Sequence, residues 1–212
     1  MQATALFAKH SRQFRLYGHR RFFTQMAIGS LPISTLAVYL AQDNLYLAEF
    51  RKALLRLARQ VPNPSRQTLM LHSGETLRLM GEQRRYIVGD LRKPKCLKER
   101  PRPTTYAYIN HLKTSVARDL ASGLAAILPC YYLYREGVRI LRLNGSRHPL
   151  LRRWIQTLPS AQSNAAWLHE IVSIFNAMSR AARKSEIEET FSLSMSYEVL
   201  FLDMVVEDQA WP

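Results

Sequence analysis

The chain has very little cysteine: two residues in 212. Two thiols cannot build the disulfide framework of a small secreted scaffold, and they suit a reducing compartment. Long apolar runs are absent too. Charges interrupt every hydrophobic stretch before it reaches the ~20 residues of a membrane span, so no membrane segment is expected. The first residues, MQATALFAKHSRQFRLYGHRRFF, lack an extended apolar core and do not read as a secretory signal. Period-two alternation, the mark of half-buried strands, is missing, as are 20–50-residue repeats and low-complexity tracts. Acid is scarce beside base: 16 Asp and Glu against 30 Lys and Arg leave a formal charge of +14. Such an excess invites a nucleic-acid or membrane-surface partner. The basic residues are spread over many segments, however, so no sequence-specific nucleic-acid contact is expected.

What remains is helix. Apolar residues recur at three- and four-residue spacing through most of the chain, which predicts an all-α, single-domain helical bundle over residues 1–212. Helices are expected at 3–16, 20–28, 34–60, 66–88, 104–118, 121–143, 148–156, 161–183 and 185–206. Gly29 and Pro32 punctuate the early chain, and Thr104 or Thr105 is expected to cap the fifth helix. Asn144–Gly145 reads as a turn, and Ser185 with Glu188 as a capping box for the last helix. The segment 89–103 is a basic loop whose Cys96 sits among lysines, either as a spectator or as an acidified, reactive thiol.

Three residues break the apolar pattern. In LPCYYLYREG, residues 128–137, a proline precedes a cysteine inside a helix. Cys130, Leu133, Tyr134, Gly137 and Leu141 share its inner face, and Pro129 should kink the helix just before the thiol. On the 34–60 helix, Leu36, Leu40, Leu47, Phe50, Leu54 and Leu57 form an inward stripe with Asp43 in its middle and Tyr46 beside it. On the last helix, Glu198 occupies the centre of the stripe Ile187, Phe191, Ser194, Phe201, Val205. An unpaired buried carboxylate costs several kcal/mol or takes up a proton. Two such acids facing an inward thiol read either as satisfied polar contacts or as a pocket with an acid, an acceptor and a nucleophile. Tyr108 shares a face with His111 and Leu112. The six histidines show no ligand spacing, so no metal site is expected.

Several stretches, taken in order, resemble the TenA (thiaminase II) family: HRRFFTQMAIGSLPISTLAVYLAQDNLYLAEFRKAL, PTTYAYINHL, LAAILPCYYLYREG, HPLLRRWIQT and SYEVLFLDM. The resemblance implies a haem-oxygenase-like helical fold and a hydrolase of thiamin salvage acting on aminopyrimidines. It further implies a cytoplasmic homotetramer with a small-molecule substrate and no metal or organic cofactor. By position, Cys130 corresponds to the family's nucleophile, Glu198 to its acid/base, and Asp43 to the aspartate that holds the aminopyrimidine nitrogens. Tyr46, Tyr108, Tyr134 and Phe201 correspond to the aromatic pocket residues. Leu158 stands where the family commonly has a tyrosine, and is expected near the pocket edge. A glutamic acid in an apolar site can have its pKa raised to roughly 6–7, so that it protonates a ring nitrogen while a thiolate adds to the ring. The competing readings are a non-catalytic relative that binds a pyrimidine or a macromolecular partner in a regulatory role, and a different enzyme on the same fold.

Overall fold

The structure is a computed structural model and describes residues 2–179 and 183–212. Among these residues it contains helices and no strands. The order is α1 (Ala3–Lys9), α2 (Ser11–Tyr17), α3 (Arg21–Ile28), α4 (Ile33–Ala58), α5 (Ser65–Gly89), a 3-10 turn (Pro94–Lys98), α6 (Pro103–Arg118), α7 (Leu120–Asn144), α8 (Pro149–Thr157), α9 (Ala161–Met178) and α10 (Lys184–Val206). Helix α7 is the central element and packs against α6, α9 and α10, while α4 packs against α5 and α6. All six members of the α4 leucine and phenylalanine stripe are buried in one core. No helix among the described residues is long and apolar enough to cross a membrane.

Local chemistry explains where the boundaries differ from the sequence expectation. The expected 3–16 helix is two helices. His10 leaves the helical region, at φ −101° and ψ 14°, and its ring is held by Gln13 Oε1 at 2.5 Å and Ser192 Oγ at 2.9 Å. The Ser192 contact fastens the break to α10. Neither Thr104 nor Thr105 caps α6. Pro103 starts it, because a proline at the first helical position gives up an N–H that would be orphaned anyway. Thr104 instead donates to Gln209, and Thr105 to the Met204 sulfur. The Ser185 capping box does not form either: α10 begins one residue earlier, with no side-chain cap. The expected end of the 161–183 helix touches residues 180–182, outside the described residues, and α9 ends at Met178.

Other boundaries are held as chemistry dictates. Asp119 caps α7 by accepting from Ser122 N at 2.8 Å, and α7 runs uninterrupted through Pro129. Gly29 closes α3 at φ +80°, where a Cβ would meet His148 N at 2.8 Å, so glycine alone fits both the conformation and the space. The basic loop is pinned rather than loose. Fully buried Gln42 donates to Arg100 O at 3.1 Å and accepts from Arg102 N at 2.9 Å. Cys96 packs against the core, and burial, with Glu99 beside it, raises its thiol pKa rather than acidifying it.

Candidate active site

Four long helices, α4, α6, α7 and α10, turn chemically active side chains towards one cavity. Asp43, Tyr46, Tyr108, Cys130, Tyr134, Glu198 and Phe201 all line it. These are the seven positions singled out in the sequence. Each of the three polar ones interrupts an otherwise apolar helix stripe, so closing the core forces the three together.

Asp43 is held by a string of buried amides. Gln83 Nε2 donates to Asp43 Oδ2 at 2.6 Å. The Asn44 amide donates to Gln83 Oε1 and, at 3.1 Å, to Leu40 O. One carboxylate oxygen is thereby fixed, and the bonding plane of the other is set. Burial raises the Asp43 pKa to about 6, with the Gln83 bond pulling the other way.

Glu198 accepts from the Tyr108 hydroxyl at 2.6 Å. Its pKa is raised to about 7, first by burial and further by the Asp43 charge; the Tyr108 bond and the Cys130 thiol oppose the shift. A carboxyl in that range holds or releases a proton with equal ease near neutrality. The Cys130 thiol pKa is pushed up well above its ordinary value, chiefly by burial and then by the Glu198 and Asp43 charges. The free site therefore holds a thiol, not a thiolate.

The aromatic residues divide into two kinds. Tyr108 is sandwiched: Tyr46 stacks on it at 4.4 Å and 25°, and Tyr197 at 5.2 Å and 16°. Both its faces are covered, so what it offers the site is its hydroxyl, which is bonded to Glu198. Tyr134, by contrast, carries a buried hydroxyl with no hydrogen-bond partner among the described residues, whereas the Tyr46 hydroxyl faces Tyr108 and the Cys130 thiol. A buried hydroxyl left unpaired costs about 1–3 kcal/mol, a cost that a polar ligand would relieve.

Leu158 does not line this cavity. It is buried at the end of α8 and lines an adjoining space of about 400 Å³, whose wall also includes Asp43 and Tyr134. The neighbouring residue, Pro159, lines the first cavity.

The structure adds residues that the sequence reading missed. Tyr17 and Tyr39 close one side of the cavity, while His72, Tyr131 and Trp167 line another part of its wall. Tyr131 was visible only as one of three tyrosines after Cys130. His72 had a faint signal, since it shares a helix face with Leu69 and Thr76, both buried. Among the described residues no cluster of three or more His, Cys, Asp or Glu could hold a metal ion.

Residues 9–208 match the model of the TENA/THI-4/PQQC family. An aminopyrimidine aminohydrolase from Bacillus subtilis is 27% identical over 86% of this chain and 80% of its own. The thiamine biosynthesis multifunctional protein ThiED of Corynebacterium glutamicum is 30% identical over 79% of this chain, which spans only 22% of that longer protein. Among solved structures, a TenA homologue from P. horikoshii OT3 superposes with a TM-score of 0.85 at 18% identity, covering 97% of this chain and 98% of that one. A domain with a heme oxygenase-like fold from Shewanella denitrificans superposes with a TM-score of 0.71 at 13% identity, covering 98% and 93%. The all-α, haem-oxygenase-like fold is thus the observed one.

Proposed function

The chain belongs to the TENA/THI-4/PQQC family, and on that premise we propose that it is a hydrolase of thiamin salvage that exchanges an amine for a hydroxyl on a substituted aminopyrimidine. The observation that carries this reading is the convergence of Cys130, Glu198 and Asp43 on one aromatic cavity, with Glu198 raised to about 7. The B. subtilis relative, named as an aminopyrimidine aminohydrolase, supports it.

Glu198 moves protons between sulfur and ring in this mechanism. Its carboxylate takes the Cys130 proton as the sulfur attacks the ring carbon next to the one bearing the aminomethyl group. It then returns that proton to the adjacent ring nitrogen. Because the free thiol has a raised pKa, ionisation and attack must be coupled. The lone pair of the exocyclic amine next expels ammonia from the ammonium form of the substituent, leaving a cationic ring with an exocyclic methylene. Asp43, hydrogen-bonded to that amine, stabilises the positive charge that develops. Water adds to the methylene and loses a proton, and Glu198 carries the ring N–H proton back to sulfur as the carbon–sulfur bond breaks. Tyr46, Tyr134 and Phe201 frame the flat ring.

The homotetramer implied by the resemblance is part of the proposal. Helix α5 leaves Met70, Leu71, Leu77 and Val88 exposed, at 50–71% of their surface, a face that a second copy would cover. We take residues 1–212 as one catalytic unit, placed in the cytoplasm because the nucleophile must stay reduced. The test is ammonia release from 4-amino-5-aminomethyl-2-methylpyrimidine. Turnover with appearance of the hydroxymethyl product supports the reading, and its absence overturns it.

A further inference from the structure

A hydrogen-bonded chain that has no part in the mechanism above runs from the surface to the cavity wall. Glu170 on α9 bonds His72 Nε2 through Oε2 at 2.6 Å, and its side chain is 48% exposed. His72 on α5 is 5% exposed. Its other ring nitrogen, Nδ1, lies 2.9 Å from the Tyr131 hydroxyl. Tyr131 is the chain neighbour of Cys130 and lines the cavity with His72 and Trp167. Phe50 of α4 packs against its ring at 5.7 Å.

The direction of these bonds follows from the partners. An ionised carboxylate only accepts, so the hydrogen sits on Nε2. We assign the single ring hydrogen to that side, so that Nδ1 offers its lone pair and the Tyr131 hydroxyl, 2.9 Å away, donates to it. The one proton of that hydroxyl is therefore committed to His72. What Tyr131 has left to offer a ligand is a lone pair. Glu75 and Arg78 also line the cavity, but as an ion pair 2.9 Å apart their charges cancel, and the Trp167 ring supplies a face that favours cations.

We propose that Tyr131, fixed as an acceptor by His72 and Glu170, forms the subsite for the leaving group and selects substrates whose leaving end carries N–H donors, namely primary alkylammonium groups. Tyr131 is the residue that touches the ligand; His72 and Glu170 are positioning residues. This inference rests on the proposed aminopyrimidine reading and deepens it. It ranks a primary amine above a leaving group with no donor, such as an ether or a quaternary heterocycle.

The test is binding, in a Cys130→Ser background so that turnover does not intrude. Two probes are titrated by calorimetry: 4-amino-5-aminomethyl-2-methylpyrimidine, and its 5-methoxymethyl counterpart, whose ether oxygen only accepts. The parent binds the amine more tightly. Tyr131→Phe is expected to weaken the amine about ten- to a hundredfold, the scale of a hydrogen bond to a charged group, and to leave the ether within twofold. His72→Phe frees the tyrosine proton to donate, so the preference narrows from both sides. Glu170→Gln, at the surface, removes the constraint on the tautomer; selectivity drops severalfold with no change in melting temperature. Equal weakening of both probes by Tyr131→Phe, or unchanged selectivity in all three variants, overturns the subsite. Failure of the parent to bind either probe is a different result: it removes the aminopyrimidine reading itself, and the subsite with it.

Discussion

Replacing Glu198 with glutamine should change how the stability of the protein depends on pH, in a direction that the site dictates. Burial raises the Glu198 pKa from 4.5 to about 7. The folded protein therefore keeps this proton to higher pH than the unfolded chain does. Stability associated with the group is fully present below pH ~4.5 and is lost as pH rises through about 7. At ~1.4 kcal/mol per unit, the shift corresponds to at most about 3 kcal/mol, less where water entering the cavity screens the charge. Glutamine cannot ionise, and its amide oxygen can still accept from Tyr108. The stability of Glu198→Gln minus that of wild type should thus grow by up to about 3 kcal/mol between pH 4.5 and 8. Urea unfolding of both ligand-free proteins at matched concentration, at pH 4.5, 6 and 8, measures it. Parallel profiles, within about 0.5 kcal/mol at all three values, would refute the claim that Glu198 is a desolvated acid titrating near neutrality. In turnover, the same variant should lose roughly 10²–10⁴-fold in kcat, the usual worth of acid–base work, with ligand affinity much less affected.

Asp43→Asn should weaken aminopyrimidine binding as well as turnover, because the amide presents a donor where the substrate amine needs an acceptor; unchanged affinity by calorimetry would make Asp43 a structural contact of Gln83. Cys96→Ser should leave kcat within twofold, since this thiol lies in the 3-10 turn outside the cavity lining, and a large loss in a steady-state assay would mean that the wrong thiol had been assigned. Leu158→Tyr places a phenol in the adjoining space shared with Asp43 and Tyr134; aminopyrimidine kcat/KM should rise while overpacking costs no more than about 1–3 kcal/mol in a thermal melt, and a fall in kcat/KM would show that the leucine is there for a bulkier ligand.

The fold was legible wherever one helix face decides the outcome. The α4 stripe and the two acids that interrupt the α4 and α10 stripes are written at helical spacing, and a buried carboxylate is conspicuous against leucine and phenylalanine. Helix caps were less legible because the competing residues lay side by side. Thr104 and Thr105 are good cap residues, but Pro103 is a better first helical residue and Arg102 is tied back to Gln42. The break at His10 depends on a bond to Ser192, 182 residues away. The same limit hid the Tyr131–His72–Glu170 chain, whose members come from α7, α5 and α9 and are 59 and 98 residues apart at its two bonds. Hydrophobic periodicity carries no trace of which polar side chains meet across helices. Of the two alternatives for Cys96, the acidified thiol is excluded for a related reason: the neighbouring lysines are near in sequence, but burial and Glu99 set the local field.

The most direct test of the central claim compares ammonia release from the aminomethyl aminopyrimidine by wild type and by Cys130→Ser. The substitution is nearly isosteric and should leave the melting temperature almost unchanged, while a serine hydroxyl is far too weak an acid to replace the thiol. The account predicts steady release of ammonia by wild type and none above background by the variant, which still binds the substrate. Equal rates in the two proteins would contradict it, because the carbon–nitrogen bond would then break without sulfur.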